Sequence, residues 1–298
     1  MPSPASTTAS PRLSRLPDFH TQPPAPIEAG DWSVPHPGHR LAIATAYRRA
    51  GYALVTVTGS TPTPSDVTAL SQALSLGEPF TPPMYAASTH TVAGVSSLMA
   101  DAQALHPFQD RAGQRVHCDA TLQQLGEVPT TVMVCVRGAV SGGATYMVNL
   151  VAAYAALLRE DPQAAAQLAH SGALERRSTF QPDQATVGPA FSTDTDGLLT
   201  TRFSRTATDT YHPDTDAGAP DLARALAFMD AAAAAGSRYR TDLLLAPGQA
   251  LVLANHRLGH GRTAYQDDQA GPRLILRSLF TRTPDGWGTV GTSRSPQS

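Results

Sequence analysis

Apolar residues first recur at helical spacing between His39 and Ala50, where Ile43, Ala46, Tyr47 and Ala50 share a face. Gly51 suits the end of that helix. The period then shortens, and residues 52–57 (Tyr-Ala-Leu-Val-Thr-Val) read as a strand. Residues 66–76 read as a second helix with Pro64 and Ser65 near its start. From 77 to 115 no period is sustained. Long irregular stretches are uncommon inside compact domains and often serve as lids, and this one leads directly into His117.

The strongest strand pattern is 130–137, followed across a Ser141-Gly142-Gly143 turn by 144–148. Ala- and Leu-rich helices are expected at 150–159 and 161–170, broken at Asp161-Pro162. Strand-like segments at 174–180 and 198–204 flank a second irregular stretch, 181–197. An Ala-rich helix over 221–235 stops at Gly236, and strands return at 239–245, 250–254 and 273–281.

Strands carry the polar motifs and helices fall between them. The fold class is therefore mainly β with flanking helices, a sandwich or barrel rather than a doubly wound parallel sheet. Residues 1–35, rich in Pro, Ser, Thr and Ala, form a disordered or loosely docked leader. Residues 36–285 form a single domain, and 286–298 a flexible tail.

At 298 residues and 41% hydrophobic, the chain can bury a sizeable core. A net charge of -2 offers no basic footprint for nucleic acid or an anionic membrane. All the positive charge is arginine, which reads as genome composition. The two cysteines, Cys118 and Cys135, make no CxxC pair or disulfide framework. No signal peptide or membrane span is visible, so a cytoplasmic protein is expected.

The chemistry concentrates at two places. In His117-Cys118-Asp119, an extended backbone puts His117 and Asp119 on one face and Cys118 on the other. That is two thirds of a two-histidine, one-carboxylate iron site. In Asn255-His256-Arg257-Leu258-Gly259-His260-Gly261-Arg262, Gly259 and Gly261 argue against a helix that would pair both histidines. His260, between glycines that permit close approach, is the better ligand, and His256 a structural or outer residue. On the strand that follows, Arg273 and Arg277 share a face. A buried arginine needs an anion. A protein carboxylate is the ordinary answer and a bound dicarboxylate the functional one, favoured here by the metal motif upstream. Arg262, Arg202, Ser204, Met84 and Tyr85 are weaker candidates.

With His117-x-Asp119, Gly142-Gly143-x-Thr145, His260-Gly261-Arg262-Thr263 and Arg273-x-x-x-Arg277 in that order, the chain resembles the iron(II)/2-oxoglutarate dioxygenases of the TauD/TfdA superfamily. It is similar also to their clavaminate-synthase-like branch, and the likeness spans about residues 40–282. It implies a double-stranded β-helix, a cupin-like jelly-roll core, with His117, Asp119 and His260 as ligands of Fe(II). It further implies that Arg273 and Thr145 hold the distal carboxylate of 2-oxoglutarate, and that Arg277 meets the co-substrate or the primary substrate. O2 would be the oxidant and a small molecule the substrate, amino-acid-like, carrier-bound or a specialised metabolite. Related halogenases carry a small residue where Asp119 stands, so hydroxylation, desaturation or cyclisation is expected instead. The competing readings are a cupin-like metal hydrolase or isomerase that uses no 2-oxoglutarate, and an inactive jelly-roll binding protein.

Overall fold

The computed structural model describes residues 17, 24–34, 36–82, 91–100, 110–178, 181, 183–267 and 271–285. In chain order the strands begin β1 (Ile27–Ala29), β2 (Tyr52–Val57), β3 (Pro79–Phe80), β4 (Thr91–Val92), β5 (Val95–Leu98), β6 (Gln114–His117), β7 (Thr130–Arg137), β8 (Ser141–Gly142) and β9 (Thr145–Val148). They continue β10 (Leu174–Arg177), β11 (Ala185–Gly188), β12 (Phe191–Thr193), β13 (Leu199–Thr201), β14 (Asp209–Tyr211), β15 (Arg240–Leu243), β16 (Gln249–Ala254), β17 (Gly259–Arg262), β18 (Tyr265–Gln266) and β19 (Leu274–Phe280).

Two sheets form the jelly roll. The larger runs β1-β2-β16-β7-β19-β5-β4, with β3 also paired to β19, and the smaller runs β15-β9-β17-β6. Among the described residues, only β1 and β2 pair in parallel in these two sheets.

The alternation along each strand explains the layering. In β7, Val132 and Val134 face outward onto helices Pro37–Ala50 and Pro64–Ala73, through Ile43, Tyr47, Val67 and Leu70. Met133 and Cys135 face inward, against Leu251, Leu253 and Ile275 and against Met147 of the smaller sheet. On the other side of the smaller sheet, Tyr146, Val148 and Val116 pack under helices Leu150–Glu160 and Ala219–Ala233. Inward-facing positions of both sheets thus surround one interior, where side chains from distant strands converge.

Several local expectations hold in detail. Helix Pro37–Ala50 ends at Gly51, whose φ of 82° only glycine adopts without strain. Helix Pro64–Ala73 starts with a capping box between Thr63 and Asp66. Helices Leu150–Glu160 and Pro162–Ala166 are divided at Asp161, whose side chain caps the second by accepting from the Ala164 N–H.

Other expectations need correction. Residues 24–34 are not loosely docked: β1 adds to the larger sheet, and Trp32 and Val34 are buried in its core. Their spacing is too short to show a period. Among residues 1–23, only Pro17 is described. The stretch 181–197 is no irregular lid, because it holds β11 and β12, paired with β10 and β13. The strand expected at 198–204 shortens to β13, since Thr201 Oγ1 accepts from the Phe203 N–H and turns the chain. In the first proposed lid, 83–90 (with Met84 and Tyr85) and 101–109 lie outside the described residues, as does the tail at 286–298, while the described parts of that stretch hold β3, β4, β5 and the start of β6.

Candidate active site

His117 is the last residue of β6, and His260 lies directly opposite it on β17. Cross-strand neighbours share a face, so the two imidazoles meet, with ring centroids 4.5 Å apart. Gly261 is what lets β17 lie this close. A Cβ there would stand 2.3 Å from Tyr146 Oη and 2.5 Å from the Gln114 carbonyl. Asp119 falls two residues beyond His117, where the chain has left the strand. Asn255 fixes it there: its Oδ1 accepts from the Asp119 N–H at 2.7 Å, and its Nδ2 donates to the Asp119 and Val128 carbonyls.

Ligand atoms of His117, Asp119 and His260 all lie within 4.8 Å of one another. Facial donors around one ion with bonds of about 2.1 Å sit roughly 3 Å apart, so the three side chains must draw together to close on a metal. His117 Nδ1 donates to the Arg115 carbonyl at 2.8 Å, which fixes the tautomer and leaves Nε2 as the donor toward a metal. His260 Nε2 lies 3.6 Å from Asp119 Oδ2, while its Nδ1 is buried with no hydrogen-bond partner among the described residues. Asp119 Oδ1 accepts from Arg277 Nη1 at 2.7 Å and Oδ2 from Thr131 Oγ1 at 2.9 Å. Each carboxylate oxygen still has a second lone pair, so the donor set suits a divalent iron.

Charge supports the same chemistry. Burial works against ionisation of Asp119, but Arg277, then the two histidines and the Thr131 hydroxyl, hold its pKa at about 2. Burial pushes His260 down to about 3 and lowers His117 as well, against the pull of Asp119. At neutral pH the histidines are neutral and the carboxylate ionised, as metal binding requires. The sign of the pH effect follows. Each group has a depressed pKa when folded, so the unfolded chain binds more protons as pH falls. Stability of the metal-free protein is expected to be full above the ordinary histidine value of about 6.5 and to decline toward pH 3. Urea midpoints measured from pH 8 to 3 check this, and a midpoint unchanged down to pH 5 contradicts it.

Arg273 stands just before β19. It is buried, and burial lowers its pKa. Its Nη2 contacts the Gly143 carbonyl at 3.4 Å, and no described carboxylate lies in ion-pair range of the guanidinium. Gly143 makes room for it, since a Cβ there would meet Arg273 Nε at 3.2 Å. Thr145, two residues on, is buried on the inward face with Met147. A buried guanidinium beside a hydroxyl fits the distal carboxylate of 2-oxoglutarate.

The remaining candidates go elsewhere. Arg277 contacts Asp119, where the resemblance implied co-substrate or substrate. His256 donates Nδ1–H to the Pro129 carbonyl and lies outside the metal cluster. Cys118 packs in the outer core. Arg202 staples three carbonyls, those of Pro189, Thr121 and Leu174, and Ser204 donates to Asp209. Arg262 donates to the Asp110 and Ala112 carbonyls, bracing the approach to β6. Asn255 and Thr131 escaped the sequence reading. The only signal was a buried-looking polar residue at the end of, or within, an apolar run.

Residues 19–279 match the family described as taurine catabolism dioxygenase TauD, TfdA family. The chain belongs to the TauD/TfdA dioxygenase family. Membership makes it an iron(II)/2-oxoglutarate-dependent dioxygenase acting on a small molecule. Among curated relatives, a uridine-5'-phosphate dioxygenase from Amycolatopsis sp is 38% identical, covering 87% of this chain and 94% of that protein. Another, from Streptomyces sp, is 35% identical over 74% of this chain and 80% of its own length. The fold is shared with an asparagine oxygenase solved with Fe(II), a hydroxyasparagine and succinate, at TM-score 0.62 and 17% identity over 85% of this chain and 81% of that one. It is shared also with the non-haem iron oxygenase OrfP, at TM-score 0.59 and 14% identity over 85% and 86%. Among the described residues of this family member, no helix is long and apolar enough to cross a membrane.

Proposed function

We propose that the protein oxidises a C–H bond of uridine 5'-phosphate or a close nucleotide, coupled to decarboxylation of 2-oxoglutarate to succinate. The observation that carries this reading is a relative of that activity, 38% identical over 94% of its length, joined to a complete His117, Asp119, His260 donor set. Iron and 2-oxoglutarate, when bound, supply the activation of O2. The chain's residues divide the remaining work. His117, Asp119 and His260 hold the metal. Arg273 and Thr145 hold the far carboxylate of the co-substrate. Arg277 acts through Asp119, keeping one carboxylate oxygen in place.

A phosphate also has a candidate partner. Arg176 is joined to His117 through Asp209 and Ser204: its Nη1 donates to Asp209 Oδ1 at 2.9 Å, Ser204 donates to Asp209 Oδ2 at 2.7 Å, and Ser204 bridges to His117. Its Nε and Nη2 make no hydrogen bond to a described residue, and together they match two phosphate oxygens. A substrate bound by this fork carries a phosphate, which favours a nucleotide within the small-molecule class expected at first. Residues 24–285 work as one catalytic domain, since β1 joins the larger sheet and the proposed site draws on strands from β6 to β19. Two free cysteines suit a reducing cytoplasm.

Succinate release and product mass test the function. Uridine 5'-phosphate is expected to drive succinate formation, with kcat/KM at least ~10-fold above that of uridine, the minimum for a charge-assisted phosphate contact. A gain of one oxygen indicates hydroxylation, and a loss of two hydrogens desaturation or ring closure. Succinate formation that ignores the nucleotide overturns the reading.

A further inference from the structure

We propose that the Tyr265 phenol is a third donor to the distal carboxylate of 2-oxoglutarate, beside Arg273 and Thr145. This rests on Arg273 holding that carboxylate.

Tyr265 opens β18, directly opposite Gly142 of β8. Its ring lies between two guanidinia, with Arg262 Cζ 4.7 Å and Arg273 Cζ 5.4 Å from the ring centroid. The residue is 95% buried, and its hydroxyl is fully covered with no hydrogen-bond partner among the described residues. A phenylalanine would pack between the two guanidinia equally well without burying an unsatisfied O–H, which costs stability. The hydroxyl therefore calls for an acceptor.

The surroundings say which kind. Three arginines act on the phenol, Arg262, Arg273 and Arg111, against one carboxylate, Asp267. Both oxygens of Asp267 are engaged, Oδ2 by Arg111 Nε at 2.9 Å and Oδ1 by the Arg273 backbone N–H at 2.7 Å. Asp110 also acts on Arg262, so among the described groups three cations face two carboxylates around a buried O–H, and an incoming anion would offset the remaining positive charge. Gly143 ties Tyr265 to Arg273. A Cβ at that glycine would stand 3.2 Å from Arg273 Nε and 3.3 Å from Tyr265 Cβ, so both side chains rise from one floor. A carboxylate seated against the Arg273 guanidinium can accept from that side and from a phenol, because each of its oxygens has two lone pairs.

Tyr265→Phe removes only the hydroxyl and keeps the packing. Anaerobic titration of the iron(II) enzyme with 2-oxoglutarate, followed by its visible charge-transfer band, is expected to give a Kd about tenfold weaker in the variant. Calorimetry with N-oxalylglycine is expected to show the same loss. Binding of 2-oxobutyrate, which lacks the distal carboxylate, is expected to match the wild type. An unchanged 2-oxoglutarate Kd overturns the proposal. An equal loss for 2-oxobutyrate also overturns it, since the phenol would then be acting on the whole pocket. Arg273→Gln separates this from failure of the underlying reading. If Arg273→Gln weakens 2-oxoglutarate and Tyr265→Phe does not, Tyr265 alone is wrong. If neither does, the carboxylate site itself is misplaced.

Discussion

Asp119→Ala is expected to lose iron binding and nucleotide-dependent succinate formation by at least about 100-fold, more than the loss typical when an outer partner of a metal site is removed. Asp119 unites three functions in one buried carboxylate. It faces both histidines, receives Arg277 at 2.7 Å and accepts from Thr131 at 2.9 Å. Breaking one side of a buried ion pair costs about 3–5 kcal/mol, so the variant should also melt earlier. Asp119→Ala combined with Arg277→Met removes both charges and is expected to recover most of that stability while recovering no iron binding. Equilibrium dialysis against iron(II) and urea unfolding of the three proteins separate the two effects. Full activity in Asp119→Ala would remove the residue from the site.

Arg273→Gln is expected to weaken 2-oxoglutarate binding by about 30-fold or more, the consequence of taking one partner from a buried charge pair. Its effect on the ligand-free protein should run the other way. No described carboxylate lies in ion-pair range of the Arg273 guanidinium, and burial outweighs the pull of Asp267, so removing the charge relieves a desolvation cost. The variant is therefore expected to unfold at the same urea concentration as the wild type or a higher one. It should also lose the stabilisation that 2-oxoglutarate gives. Titration of 2-oxoglutarate during urea unfolding reports both quantities at once. An arginine held by protein alone would behave in the opposite way, with lower stability and unchanged co-substrate affinity.

How much of this was readable from the chain alone depended on distance. His117 and Asp119 are two residues apart, so strand periodicity brought them together before any fold was known. His260 stood out through its flanking glycines, and Gly261 does allow β17 to pass within contact of Tyr146. The repeating apolar positions placed helix Pro37–Ala50 and strands β2 and β7 almost to the residue. Contacts between strands far apart in sequence were not legible. Nothing local says that Arg277 ends on Asp119, 158 residues away, or that Asn255 clamps the backbone of Asp119 from 136 residues away. The stretch 181–197 looked like a lid because its strands are three and four residues long and rich in Gly, Pro and Thr. Short strands held by their neighbours in the sheet carry too few positions to show a period.

The most direct test of the central claim, that His117, Asp119 and His260 present iron to a 2-oxoglutarate anchored by Arg273, is an anaerobic titration of the iron(II)-loaded protein with 2-oxoglutarate. A saturable visible charge-transfer band, present in the wild type and absent in His260→Ala, is the predicted result. A wild-type protein that binds iron(II) and develops no band with 2-oxoglutarate would contradict it.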